Sequence, residues 1–166
     1  MSADLQALAD RQAISEKIYR YCRSVDRLDI PLGHTVFHED SHADYGDIYQ
    51  GRGRGVIDFI CAQHLGALAH SHQVTNILID LNGDRAGSEA YVTAHIRIKQ
   101  GDQLMQIGVW SRYVDQWSKR NGEWAIDKRV TVYDFDEIRP VTDTGRGRRG
   151  TRDETDPSYQ AVKTPR

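Results

Sequence analysis

The chain has 166 residues, 39% of them hydrophobic and 28% charged, with a formal net charge of −2. That length suits one domain closing one hydrophobic core around a ligand-sized space, and no apolar run approaches the length that crosses a bilayer. The opening "MSADLQALADRQ" lacks the basic-then-apolar pattern of a secretory signal, so a cytoplasmic protein with no membrane partner is expected.

Residues 10 to 26, "DRQAISEKIYRYCRSVD", carry Ile14, Ile18, Tyr21, Cys22 and Val25 at the spacing of one helix face, which predicts an amphipathic first helix. Asp26 borders that stripe. By periodicity it is either a solvated helix end or a carboxylate turned toward a neighbouring sheet. Pro31 and Gly33 in "RLDIPLG" end the helix, and weak alternation after them predicts short strands near 41–46 and 47–51. A second amphipathic helix is expected from Gly53 to Ala69, with Ile57, Ile60, Cys61, His64, Leu65 and Leu68 on its stripe. Cys22 and Cys61 fall on these two stripes and read as reduced, buried thiols without a catalytic role.

The period then changes from 3.6 to 2. "SHQVTNILIDL", "RAGSEAYVTAHIRIK", "LMQIGVWSRYVDQWSK" and "EWAIDKRVTVYDFDEI" alternate, and "NGD", "QGDQ" and "RNGE" between them signal hairpins of an antiparallel meander. Early helices followed by long strands predict an α+β fold, a curved, mainly antiparallel sheet with the N-terminal helices on its concave face. Residues 1–140 are expected to form this domain. Residues 141–166 read as a polar, basic, loosely held tail, since 139–166 carry seven basic against four acidic residues.

The stretch "HSHQVTNILIDL" places His70, His72, Val74, Asn76 and Leu78 on one face of a strand, opposite Thr75, Ile77, Ile79 and Leu81. Two imidazoles two positions apart invite a metal, but catalytic zinc needs a third ligand. His42, Asp44, His64 and His95 form no spacing motif with the pair, so no metal is assigned. Proton transfer needs fewer parts: an imidazole, a carboxylate that fixes its tautomer, and a dry pocket. His72 and Asp26 supply the first two. His70 is expected at an exposed edge, Asn76 either hydrogen-bonds substrate or sits at a bulge, and His42 counts as a polar wall group. Trp110, Trp117, Trp124, Tyr113 and Tyr133 read as core or interface aromatics, with Tyr133 also counted as substrate-binding. "GRGRG" at 51–55 lacks the fingerprint of a phosphate loop, and "GRGRRG" at 145–150 makes too weak a case for a nucleic-acid partner.

The order "YCRSVDRLD", "HEDSHADYG", "HQVTN", "NGDRAGSEAYVTA" and "SRYVDQWSKRNGEWAIDKRVTVYD", over residues 5 to 138, resembles the SnoaL-like branch of the nuclear-transport-factor-2-like superfamily. That branch includes polyketide cyclases, scytalone dehydratase, bile-acid dehydratase and hexachlorocyclohexane dehydrochlorinase. The resemblance implies a cone with one internal cavity, no cofactor, a small-molecule substrate, and a homodimer or higher homo-oligomer paired through the outer sheet face. It also implies that Asp26 holds His72, which removes a proton from carbon. Tyr21 matches a tyrosine of the bile-acid dehydratase pattern, and Arg129 matches a cavity arginine of the dehydrochlorinase. The dehydrochlorinase has a lysine in place of Tyr21, which argues against halide elimination.

The resulting expectation is a cofactor-independent, dehydratase-type lyase acting on a small hydroxylated cyclic or aromatic substrate. His72 and Asp26 form its dyad, and Tyr21 and Arg129 hydrogen-bond the developing oxyanion or leaving hydroxyl. An isomerase, a polyketide-type cyclase, or a lyase releasing formaldehyde from lignin-derived aryl compounds would use the same dyad. A non-catalytic ligand-binding or assembly module is the alternative of another class.

Overall fold

In the computed structural model, which describes residues 3–162, helix α1 runs from Ala3 to Arg27. Ile14, Ile18, Tyr21, Cys22 and Val25 form its buried face, as their spacing predicts. The helix begins well before that stripe because a polar anchor holds its first turns. Asp10 accepts hydrogen bonds from Lys119 Nζ and Trp124 Nε1, each at 2.8 Å, while Leu5 and Leu8 stay exposed. Leu28, at φ 54°, turns the chain out of α1, and Asp29 caps the short helix α2 (Ile30–His34) by accepting the Leu32 backbone N–H at 3.2 Å.

Strands β1 (Phe37–Asp44) and β2 (Gln50–Arg52) pair antiparallel, with β1 starting earlier than expected. Helix α3 (Gly53–His64) follows and stops at His64, so Leu65 and Leu68 are exposed in the connection rather than on a buried stripe. The meander consists of β3 (Ala69–Asn82), β4 (Arg85–Gln100), β5 (Gln103–Arg120) and β6 (Glu123–Pro140). Sheet order is β2-β1-β6-β5-β4-β3, with β1 and β6 parallel and every other pair antiparallel. The helices cover the concave face of this curved, unclosed sheet, the α+β architecture expected from the sequence.

The hairpins are of two kinds. Asn121 and Gly122 both have positive φ, 53° and 84°, as a type I′ turn requires. At Gly83 and Gly101 only the first of the two connecting residues is positive, the pattern of a type II′ turn.

The register is irregular in β1–β6 and β5–β6 as well as in β3, and the irregularity in β3 changes which of its residues face the helices. Asn76 has φ 48° and no partner in the ladder, so the register passes from Thr75 opposite Tyr91 to Ile77 opposite Ala90. Beyond this bulge the faces exchange. Ile77, Ile79 and Leu81 therefore join His70, His72 and Val74 on the inner face, and Leu78 lies outside, 69% exposed.

The tail also departs from expectation. Residues 151–161, with the short helix α4 (Ser158–Ala161), fold back across the ends of α1 and α3. Arg23 Nη1 donates to Ser158 Oγ at 3.0 Å, Arg27 faces Asp156 at 3.7 Å, and Arg152 Nη1 donates to the His64 carbonyl at 2.7 Å. These contacts are polar and aperiodic, so no hydrophobic pattern announces them. No helix among the described residues is long and apolar enough to cross a membrane.

Replacing the polar anchor tests its role. Asp10→Ala should lower the unfolding free energy by about 1–3 kcal/mol in denaturant titrations, the cost of stranding two part-buried donors. Amide exchange should quicken over residues 3–9, and a variant with unchanged exchange there would show that α1 does not depend on Asp10.

Candidate active site

Helix α1 ends over the start of β3, and Asp26 joins the two. His72 Nδ1–H donates to Asp26 Oδ1 at 2.7 Å, and the His72 backbone N–H donates to Oδ2 at 3.0 Å. A carboxylate only accepts, so the shared proton belongs to Nδ1 and His72 Nε2 is left with a lone pair. The side chains are 9% and 16% exposed, which shields the pair from bulk water. Two residues earlier, His70 Nε2–H donates to the Val25 carbonyl at 2.7 Å. His70 is therefore buried against α1, not exposed at an edge, because helix and strand meet there.

His72 lies on the wall of a cavity of about 170 Å³. Across the sheet the wall continues through Ala94 and Ile96 of β4, Val109, Ser111 and Tyr113 of β5, Thr131 and Tyr133 of β6, and Tyr45 just past β1. Tyr21 of α1 and Phe59, Ile60 and His64 of α3 line it from the helical side. None of the residues on this wall is Lys, Arg, Asp or Glu. The Tyr21 and Tyr45 hydroxyls are 2.7 Å apart. Burial pushes the Tyr21 and Tyr113 hydroxyls well above the ordinary tyrosine range, and burial with Tyr45 nearby pushes Tyr133 up to about 12, so all three stay protonated near neutrality.

The expected site residues divide. Tyr21, His72 and Tyr133 line the cavity, and Asp26 stands behind His72 without reaching the wall. Arg129 does not reach its wall: it is fully buried, with Nε and Nη2 donating to the two Asp115 carboxylate oxygens at 2.7 Å each. Its guanidinium lies 4.1 Å from the Tyr113 ring centre and 4.3 Å from that of Tyr21. It is a cation set behind two wall tyrosines, not a group that touches what the cavity holds. His42 is exposed, because Ser41, Ala43 and Tyr45 take the inner face of that segment. Asn76 is exposed at the bulge and is not part of the wall.

Tyr45, Tyr113, Thr131 and His64 were not singled out as site residues from the sequence. Tyr113 and Thr131 share strand parity with inward neighbours, and His64 falls on the α3 stripe, so each carried a signal of burial but none of chemistry. The His64 ring centre is 4.5 Å from that of His70 and 6.2 Å from that of His72. Burial, aided by these two imidazoles, depresses its pKa to about 4. No group of three or more His, Cys, Asp or Glu among the described residues is arranged to hold a metal ion.

A wider cleft of about 1090 Å³ lies beside Lys17, Asp40 and Arg120. There Arg120 pairs with Asp40 and Asp127, and Lys17 donates to the Thr35 carbonyl at 2.7 Å. It presents no acid–base pair comparable to Asp26 and His72.

Residues 6–130 match the SnoaL-like domain. The chain belongs to the SnoaL-like family. No curated protein matches it. Among solved structures, a hexachlorocyclohexane dehydrochlorinase (LinA) of type 2 superposes with a TM-score of 0.74 at 18% identity, over 89% of this chain and 99% of that one. A candidate scytalone dehydratase from Novosphingobium aromaticivorans gives 0.70 at 20%, over 86% and 97%. The Kfla4162 protein from Kribbella flavida gives 0.72 at 19%, over 79% and 95%. At these identities the likeness establishes the fold. The tail contacts of residues 151–161 lie outside the span matched to the SnoaL-like domain.

The neutral, half-buried His64 makes stability depend on pH. Its folded pKa lies below the ordinary 6.5, so the unfolded chain binds the extra proton first and stability drops as pH falls from about 6.5 toward 4. Denaturant midpoints measured across that range should decline in the wild type and decline less in His64→Gln. Equal slopes would remove His64 as a cause.

Proposed function

We propose that the protein is a cofactor-independent lyase of the dehydratase type, with Asp26 and His72 as its proton-abstracting dyad. The observation that carries this reading is one geometry: a carboxylate holding His72 by both Nδ1 and the backbone, with the imidazole on the wall of an uncharged, tyrosine-rich cavity. His72 Nε2 takes a proton from a carbon next to a carbonyl or aryl group, and Asp26 stabilises the imidazolium that forms. The carbon–oxygen bond on the neighbouring carbon breaks. A proton from the Tyr21–Tyr45 hydroxyl pair leaves with that oxygen as water, and the imidazolium later returns its proton to the pair. Arg129 supports the step from behind the rings, where its charge favours a transient phenolate.

Size narrows the substrate. An apolar cavity of roughly 150 Å³ takes a benzene ring, so about 170 Å³ suits one hydroxylated ring better than a fused polycycle. Exposed Leu78, Tyr91 and Val114 on the outer sheet face support a homodimer formed there. Two buried, unpaired cysteines support a cytoplasmic location.

The test is a screen of hydroxylated single-ring compounds for loss of water, followed by variants on any hit. His72→Ala and Asp26→Asn should each reduce turnover by at least about 10²-fold, with unchanged circular dichroism. Near-normal turnover in both would defeat the dyad mechanism, and a tight ligand that is never converted would favour a binding module.

A further inference from the structure

His64 takes no part in the dyad, yet it shares the cavity wall with His72. Two elements fix its place. Helix α3 ends on it, and Arg152 of the tail holds its carbonyl. Among the described residues neither nitrogen of its ring has a hydrogen-bond partner, and Nδ1 is buried. Nδ1 is closed off from the cavity as well as from solvent, so the ring nitrogen that a molecule in the cavity can reach is Nε2, which has no protein partner to give up. With its pKa depressed to about 4, the ring is neutral at pH 7 and presents one N–H and one lone pair.

The wall constrains that partner. It carries no Lys or Arg; Arg129 behind the tyrosine rings is committed to Asp115, and Arg152, beside His64 but not on the wall, donates to the His64 carbonyl. A carboxylate or phosphate entering so small a space would lose its hydration without a counter-ion. A hydroxyl or ketone oxygen would lose much less, and one neutral imidazole compensates it.

We propose that His64 is a second ligand-contacting residue of this cavity, hydrogen-bonding the oxygen of an uncharged single-ring ligand while His72 faces the carbon framework. This deepens the lyase reading by naming a residue and a charge class for its substrate.

Binding of phenol, toluene and benzoate, followed by NMR titration at pH 7 in the wild type, His64→Phe and His64→Gln, tests it. Phenol and toluene differ by the oxygen, so their affinity ratio reports the hydrogen bond and discounts changes in cavity shape. In His64→Phe the preference for phenol over toluene should fall about tenfold, and in His64→Gln it should stay within about threefold of the wild type. Benzoate should bind the wild type at least about tenfold more weakly than phenol. The proposal is overturned by an unchanged ratio in His64→Phe, including equal loss of both ligands, by a Gln variant that behaves like the Phe variant, or by benzoate binding as tightly as phenol. Because binding is measured, these outcomes are independent of whether His72→Ala abolishes turnover.

Discussion

The Asp26 carboxylate is where helix and sheet become one site. One oxygen accepts the His72 ring proton and the other accepts from the His72 backbone N–H, so a single side chain fixes the end of α1, the start of β3 and the tautomer of the imidazole. His70 adds a second tie from the same strand to the Val25 carbonyl, one residue before Asp26. Between them the last turn of α1 is held to β3. Tyr21, just over one turn earlier on the helix, is thereby set over the cavity at hydrogen-bonding distance from Tyr45.

Behind the tyrosines lies the other unusual feature of the fold, an Arg129–Asp115 pair with no exposure at either side chain. A buried ion pair stabilises a fold weakly or not at all against an apolar replacement, because two charges have been taken out of water. Here the guanidinium is enclosed by the Tyr21, Phe37 and Tyr113 rings. A positive charge thus stands behind two wall phenols while the wall itself stays uncharged. The cavity can therefore accept a neutral molecule without stranding a charge, and a tyrosine that gives up a proton finds a cation already in place.

The sequence made the α+β architecture legible because its two hydrophobic periods are clean where packing is apolar. It also made the Asp26–His72 pairing legible, through the family resemblance; periodicity placed Asp26 only at the border of a stripe. What was not legible follows from polar or local geometry. The first turns of α1 rest on Asp10, and the tail rests on Arg23, Arg27 and Arg152, none of which leaves a hydrophobic period. The single extra residue at Asn76 exchanged the faces of half a strand, which placed Asn76 outside and brought Ile77 and Ile79 in. Arg129 holds the chain position of a cavity arginine, and only the fold shows that Asp115 claims it first.

The role of Asp26 is read most directly from the protonation of the His72 ring, by long-range ¹⁵N–¹H correlation NMR between pH 7 and 8. A protonated Nδ1 with a strongly downfield proton and an unprotonated Nε2 are expected, a pattern that changes in Asp26→Asn. A His72 carrying its proton on Nε2, or a spectrum indifferent to Asp26→Asn, would contradict the claim that Asp26 prepares His72 as a base.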